Sequence, residues 1–560
     1  MAGIIDWTNP ANLYPALTSS NPIANATAAT MAAAVQMKPS TDIVVLLYTN
    51  MYKQAAEIGD YLSLKVQFPR NEVETATIVI KHTDPAVTVA MNCYQAVVPV
   101  TIQTGYLRWS GRVENCDYAL KDGLYTVTLQ CLGDYNWFNK IMVWPNFLLP
   151  IQIQFPTKAL FIGPAITCIK TMIIEQCFRL QSGMWEFIDN LGSGNLDWEA
   201  WFGTLLESNG NILEMLMTPI VVIPTDPLFD PSPWISIHGR MDKVSTLVKE
   251  IVKDNGLVLT ANLWLPGEPQ PNGLILPLAL PTIVVDVKDK SGVTGLTGTF
   301  LDGLVKDVVD LQHSVLGGVL DPFLNPTNAY APEGVNIAPL LGIHFTPPWV
   351  IFQDHPRGGL TEFHLTPHAP LAHTVIGGGK SPRWVNDLIN ATLEYLIDAI
   401  EIAVGFTGVP DTLLDGTFDD VLLAFQEIEN FPRRQALGPY AYPEYFQQTG
   451  SSAYTIDEWF ALQSGMWDSR GYHGIILSFE NGYPYTVGQD LFVGAMASFS
   501  LQGNLYTDYV ERVEIEDDRK TRTKVTVMIG DGKSHEDPTV KVLRKIDEFE
   551  SAFQIITMSN

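Results

Sequence analysis

Basic residues are scarce in this 560-residue chain: 34 Lys and Arg stand against 61 Asp and Glu, a formal net charge of −27. Affinity for nucleic-acid phosphates comes from Lys and Arg displacing counterions, so tight DNA binding is not expected. Cysteine is scarce too. Cys93, Cys116, Cys131, Cys168 and Cys177 form no C-x-x-C pair. An odd, widely spaced set fits buried, reduced thiols made in a cytoplasm better than a disulfide scaffold or a zinc site. The first basic residue is Lys38, so the basic start of a secretion signal is missing. No uninterrupted apolar run is long enough to span a bilayer; the nearest, 388–406, carries Glu394, Asp398 and Glu401. Charged residues make up only 17% of the chain and hydrophobic ones 46%. Those proportions exclude a disordered protein and imply large buried or partner-covered surfaces spread over several domains.

Signatures of chemistry are equally thin. There is no G-x-S-x-G elbow, catalytic Cys–His signature or dinucleotide fingerprint. Gly377, Gly378, Gly379, Lys380 and Ser381 invite a phosphate-loop reading, but Thr374 stands where the first Walker glycine belongs and Pro382 follows. A glycine turn feeding a helix from Pro382 is the better account. Five of the ten histidines fall between His344 and His373. His364 and His368 have i,i+4 spacing, but Pro367 breaks the helix that would aim both at one metal, so loop histidines are expected. Asp197 and Glu199 flank Trp198, a pair that could serve a glycan hydrolase, yet carboxylates are abundant everywhere in this chain. No catalytic, cofactor-binding or metal-binding residue is assigned, and the chain is read as a non-enzyme.

What is present is β-pattern. Leu107, Trp109 and Val113 share one parity, and Tyr125, Val127, Leu129 and Cys131 share another beyond Asp122 and Gly123. Apolar residues at every second position put one strand face on a core, and Asp-Gly supplies the positive φ of a tight hairpin turn. Asp134 then reads as a helix N-cap before Tyr135, Trp137 and Phe138. Strands are also predicted at 43–48, 61–68, 76–81 and 97–103, giving a compact sheet or barrel. Helices are predicted near 165–180, 242–254 (with Gly256 as its terminator), 300–309 and 384–404, and a strand at 257–265. Strands return at 475–479, 490–500, 510–516 and 523–529, and a last helix is placed at 538–553. Two stretches lack any base: 180–239 with eight acids and 384–432 with ten.

The wording of 109–139, together with Phe161-Ile162-Gly163-Pro164-Ala165, the run from His373 to Asn386 and the final β-block before Ile529, Gly530 and Asp531, resembles the tail-hub proteins of long-tailed bacteriophages. These are also called baseplate-hub or minor tail proteins, and the likeness is to those of actinobacterial phages. The resemblance implies an α+β, multidomain chain: an arm at 1–40, a tube-like β-barrel or sandwich domain at 41–140, a mixed α/β middle at 141–454, a second tube-like β-domain at 455–535, and a tail at 536–560. It further implies a homotrimer at the distal end of a siphophage tail tube, adapting a sixfold tube to a threefold tip. Its expected partners are a distal tail protein ring, the tape measure protein, downstream tip or fibre proteins, and genomic DNA that passes without tight binding. The expected location is the virion tail tip, after synthesis in the bacterial host cytoplasm. A tail-associated cell-wall hydrolase or glycan-binding tail protein is the alternative.

Overall fold

The computed structural model describes residues 43–121, 123–155, 158–182, 219–274, 277–309, 323–331, 337–355, 358–378, 425–448, 462, 465–466, 469–518 and 523–530. They belong to two compact units. The first takes the described residues up to Val309, from Leu324 to His364 and from Ile475 onward; the second takes Phe323 and those from Leu365 to Gly474.

The first unit opens with antiparallel strands: β1 (Ile43–Tyr48), β2 (Gln54–Glu57), β3 (Tyr61–Pro69) and β4 (Thr75–Lys81). After the short helix α1 (Ala86–Met91) come β5 (Pro99–Thr104), β6 (Leu107–Lys121) and β7 (Leu124–Gly133). Burial alternates along β3, where Leu64, Val66 and Phe68 are buried while Lys65 and Gln67 are half-exposed, as a strand with one wet face requires. Lys121 pairs with Leu124, so the β6–β7 turn has two residues, and Gly123 takes φ +79°. Trp109, Val113, Val127, Leu129 and Cys131 are buried, as their parities predict, whereas Leu107 is half-buried and Tyr125, near the hairpin turn and beyond the reach of β4 and β5, is exposed. Gly111 faces Gly133 across the ladder. A Cβ at Gly111 would run into the backbone of β7 and the Trp109 ring, so glycine is what lets these strands close up there.

A mixed α/β layer follows. It comprises β8 (Met142–Val143), β9 (Ala159–Pro164), α2 (Ala165–Ser182), β10 (Ile220–Val222), β11 (Trp234–Gly239), β12 (Asp242–Lys243), α3 (Val244–Asp254), β13 (Leu257–Trp264) and β14 (Thr282–Asp289). Strands pair in the order β10-β14-β13, β11 with β9, and β12 with β8. Ile169, Met172 and Ile173 of α2 share one core with Val244, Val248 and Val252 of α3 and with Leu259 and Val285 of the sheet. Each such side chain contributes about 1.5–3 kcal/mol by leaving water. Gly256, at φ +64°, ends α3 as expected. Lys170 of α2 is buried against Asp286 at 2.7 Å and also donates to the Thr225 hydroxyl. Beyond β15 (Val293–Thr294) and α4 (Phe300–Val309), β16 (His344–Phe345) pairs with β15, whereas β17 (Ile351–Gln353) and β18 (Leu360–His368) join the large sheet.

The second unit holds β19 (Thr374–Gly378) between β20 (Phe425–Glu429) and β21 (Glu444–Gln448), with α5 (Phe431–Leu437). Val375, Leu462 and Met466 form its core. The Asn430 side chain caps α5 by accepting from the Arg433 amide, and the Arg433 guanidinium donates to the carbonyls of Ala372 and Met466 and to the Ser469 hydroxyl.

The chain then enters β22 (Tyr472–Glu480), β23 (Met496–Leu501), β24 (Asn504–Asp517) and β25 (Lys524–Gly530). The long β24 divides its pairing. Residues 504–509 pair with β23, whereas 512–517 lie between β25 and β3. Strands from both ends of the sequence therefore belong to one 13-stranded sheet of order β18-β22-β25-β24-β3-β4-β7-β6-β5-β1-β2, with β23 on β24 and β17 on β23. The described residues are mostly β, in several sheets, none closed into a barrel.

Four local readings change. Asp134 does not cap the 3-10 helix Asp134–Asn139: Gly133 is the N-cap, and Asp134 is turned inward to accept the Ser110 hydroxyl at 2.5 Å. The strand expected from 490 begins at Met496, because 486–490 is a turn and Gly494 holds φ +78°. His364 and His368 lie on the strand β18, not in a loop. Gly377 and Gly378 end the central strand β19 and are not a turn. The expected helices at 384–404 and 538–553 and the arm at 1–40 lie outside the described residues.

Candidate assembly surfaces

The first notable surface is the seam between the two β-blocks. Along β3 and β24, Lys65 reaches Glu514 at 2.6 Å and Glu516 at 2.9 Å, and Gln67 donates to Glu514 at 2.6 Å. Thr75 and Thr77 of β4 and Thr126 and Thr128 of β7 continue this wet face across the sheet. The result is a hydroxyl-rich surface on which each Lys charge is matched by carboxylates.

The second is an acid pair, with Asp134 buried and Glu74 half-buried. Glu74, at the start of β4, accepts the Tyr135 amide at 3.3 Å and so does the capping work expected of Asp134. Burial pushes the Glu74 carboxyl up to about 8, and the neighbouring Asp134 charge adds to the rise. Burial likewise raises Asp134, to about 6, against the pull of Ser110 and of Arg112. A Cβ at Gly133 would collide with the Glu74 carboxylate, so Gly133 leaves room for the pair.

The third is the outer half of the β6–β7 hairpin. β5 covers the edge of β6 only from Leu107 to Arg112, and β4 covers β7 from Thr126 to Leu132. Past that, residues 115–121 of β6 pair with β7 alone among the described residues. Their side chains include exposed Tyr118 and Leu120, followed by Leu124 (71% exposed) and Tyr125 on β7. His82 sits 5.2 Å from the Tyr125 ring, and the Tyr118 and Tyr125 rings are 6.1 Å apart. The turn Asn92–Tyr94 packs near β6 and leaves Tyr94 80% exposed. Single exposed apolar residues are ordinary; a cluster beside an unpaired edge is not.

A smaller cleft of 470 Å³ lies between Lys290, Trp349, Asp490, Leu491, Phe492 and Met496. It brings together no constellation of reactive groups.

Residues 44–531 match the family described as Siphovirus ReqiPepy6 Gp37-like protein. The chain belongs to that family. Within it, this Gp37-like chain is 22% identical over 552 residues to Minor tail protein Gp28 of Mycobacterium phage D29, covering 87% of this chain and 90% of that protein. It is 21% identical over 520 residues to Minor tail protein Gp28 of Mycobacterium phage L5, with 81% and 84% covered. Among solved structures, the 43 kDa tail protein of prophage MuSo2 from Shewanella oneidensis aligns at a TM-score of 0.38 and 8% identity, covering 88% of this chain and 99% of that one. The tail protein from Neisseria meningitidis MC58 aligns at 0.37 and 9%, covering 88% and 98%. The resemblance to phage minor tail proteins read from the motifs therefore holds, and this is a protein of the phage tail.

In this Gp37-like chain His364 and His368 do not share a site. His364 is exposed beside Glu362 at 3.1 Å, and His368 stacks on Tyr472 with ring centroids 4.3 Å apart, so each has its own neighbour. Among the described residues no three His, Cys, Asp or Glu side chains converge as a metal site, and no helix is long and apolar enough to cross a membrane. Asp197 and Glu199, and Gly379 to Pro382, lie outside the described residues. The five cysteines are free; Cys131, Cys168 and Cys177 are buried, and burial pushes the Cys177 thiol up to about 12, which keeps it protonated and inert. Sequence reasoning missed Glu74 and the bare edge of β6. The length of β6 against that of β5 was the signal for the edge; Glu74 left none.

Proposed function

We propose that the protein is the trimeric hub at the distal end of a siphophage tail tube, with a structural rather than a catalytic role. One observation carries this reading: β24 pairs with β3, so one chain sets a β-block from each end of its sequence side by side in a single sheet. The blocks at 41–140 and 455–535 are then two tube-like β-domains, and three copies offer six such blocks to a sixfold tube. Cyclic closure also covers edges and apolar clusters that a lone subunit leaves bare. The seam face carrying Lys65, Gln67, Glu514 and Glu516 belongs to the DNA exit channel in this reading. Partners are the distal tail protein ring, the tape measure protein above, and tip or fibre proteins below, held by the 141–454 region.

The test is mass measurement of the purified full chain, alone and mixed with a distal tail ring. A trimer that joins the ring in a ratio of three to six supports the hub. A stable monomer at micromolar concentration, or turnover of cell-wall glycan by the purified chain, refutes it.

A further inference from the structure

The hairpin leaves a backbone ladder half made. Lys121 and Leu124 flank a two-residue turn, so they form a pair that exchanges both hydrogen bonds, and so do Ala119 with Thr126 and Asp117 with Thr128. Alternation then turns the N–H and C=O groups of Cys116, Tyr118 and Leu120 away from β7. β5 stops at Arg112, and the last bond on that side is from the Val113 amide to the Val98 carbonyl. Beyond it, roughly 20 Å of strand edge faces outward with no strand beside it among the described residues. Soluble proteins protect such edges with short strands, prolines or inward charges. β2, which ends the same sheet, follows that rule with four residues. The β6 edge does the opposite: Tyr94, Tyr118 and Leu120 surround it with exposed apolar surface.

We propose that the outer edge of β6 at residues 115–121 is a strand-addition site taken by a second copy of this chain, which presents the outer edge of its own β18 at residues 360–364. This rests on the trimer reading given above and names the surfaces that would build it. Two features select a copy of the chain over another protein. β18 ends the same sheet on the side away from β5, β1 and β2, and likewise has no strand on its outer side among the described residues. It too carries an exposed aromatic, Phe363, beside that bare edge. A foreign strand on β6 leaves β18 bare in every subunit; a head-to-tail ring of copies covers both edges at once, because heterologous contacts that close generate cyclic assemblies. Backbone pairing supplies the affinity, and the apolar side chains on either side fix the register.

The experiment uses the full chain and light scattering after size separation. Leu120→Pro removes an outward N–H without touching a β6–β7 hydrogen bond, and Tyr118→Lys leaves the backbone intact while charging the apolar rim. With wild type trimeric, both variants are expected to lose about threefold in mass, with unchanged far-UV circular dichroism. The pair Leu120→Cys and Phe363→Cys is expected to give covalent ladders up to three chains with a short bismaleimide, which neither single substitution gives above the native cysteines. A trimer that persists in both variants, with no pair-dependent cross-link, overturns this interface and leaves the hub reading standing. A monomeric wild type overturns both.

Discussion

The guanidinium of Arg70 lies 3.9 Å from the centroid of the Tyr509 ring, buried where three parts of the chain meet. Its Nη1 donates to Glu511 at 2.7 Å, and its Nη2 reaches the Lys253 carbonyl at the end of α3 at 3.4 Å. One side chain on the β3–β4 turn thus ties the first β-block to the last strands and to the α/β layer. Arg70→Ala is expected to cost about 3 kcal/mol, because it removes a buried charge partner and a ring contact together. Arg70→Lys is expected to recover less than half, since an ammonium has neither the planar fork nor the stacking face. Urea unfolding midpoints of the two variants check this, and equal stability of both with wild type would refute it.

Asn71, next along, does the same by hydrogen bonds. It sits at φ +54°, a region that asparagine tolerates, and its amide donates to the Leu257 carbonyl and accepts the Leu259 amide. The side chain imitates a neighbouring strand at the edge of β13. Asn71→Ala leaves two backbone groups without partners and places a less tolerant residue at positive φ, a loss of about 2–3 kcal/mol. Hydrogen exchange gives the sharper readout: the Leu259 amide is expected to exchange faster in the variant, while amides in the middle of β14 stay slow.

Glu74 and Asp134 predict a pH dependence with a definite sign. Both carboxyls are raised on folding, from 4.5 to about 8 and from 3.8 to about 6. Between its unfolded and folded values each group keeps a proton in the folded state that the unfolded chain has released. Stability therefore falls as pH rises, from 3.8 towards about 6 for Asp134 and from 4.5 towards about 8 for Glu74, and is unaffected by these groups below those windows. The groups facing Glu74 are Asp134, Gly133 and the Tyr135 amide, and none supplies a cation to offset the charge. Glu74→Gln keeps an acceptor for Tyr135 without the ionisation. Its melting temperature is expected to match wild type most closely at a pH just below 4.5 and to exceed it near pH 8, and a variant that tracks wild type at both values would sink the argument.

How much of this was legible in the sequence depends on the range of the interaction. Period-two alternation is local, so β3, β4, β6, β7, β24 and β25 could be read from residues such as Leu64, Val66 and Val127, and Gly256 marked the end of α3. Pairing of β24 with β3 was not legible, since Lys65 and Glu514 are 449 positions apart and nothing in either strand names the other. Asp134 misled because its cap preference is a local statistic, whereas the Ser110 hydroxyl that draws it inward comes from across the hairpin. The strand expected from 490 failed for a similar reason. Its apolar residues are real, but Gly494 turns the backbone against Val258, a contact that hydropathy does not encode. The tail family itself was legible because it rests on the order of several motifs, not on any one contact.

The seam face makes a last prediction about DNA. A channel wall that gripped phosphates would stall the genome, and gripping requires uncompensated Lys or Arg. On this face Lys65 is held between Glu514 and Glu516, so its charge is offset twice over. The wild-type chain is therefore expected to show no tight binding of duplex DNA at physiological salt, by fluorescence anisotropy of a labelled duplex. Glu514→Lys with Glu516→Lys adds four units of positive charge per subunit at one place, and a trimer multiplies the field. DNA binding is then expected to appear, to weaken steeply as salt rises, and to slow genome ejection in phage carrying the double variant. Ejection at the wild-type rate, with the double variant incorporated and DNA binding gained in solution, would mean that this face does not meet the genome. Tight wild-type binding would remove the non-sticking channel from the hub reading altogether.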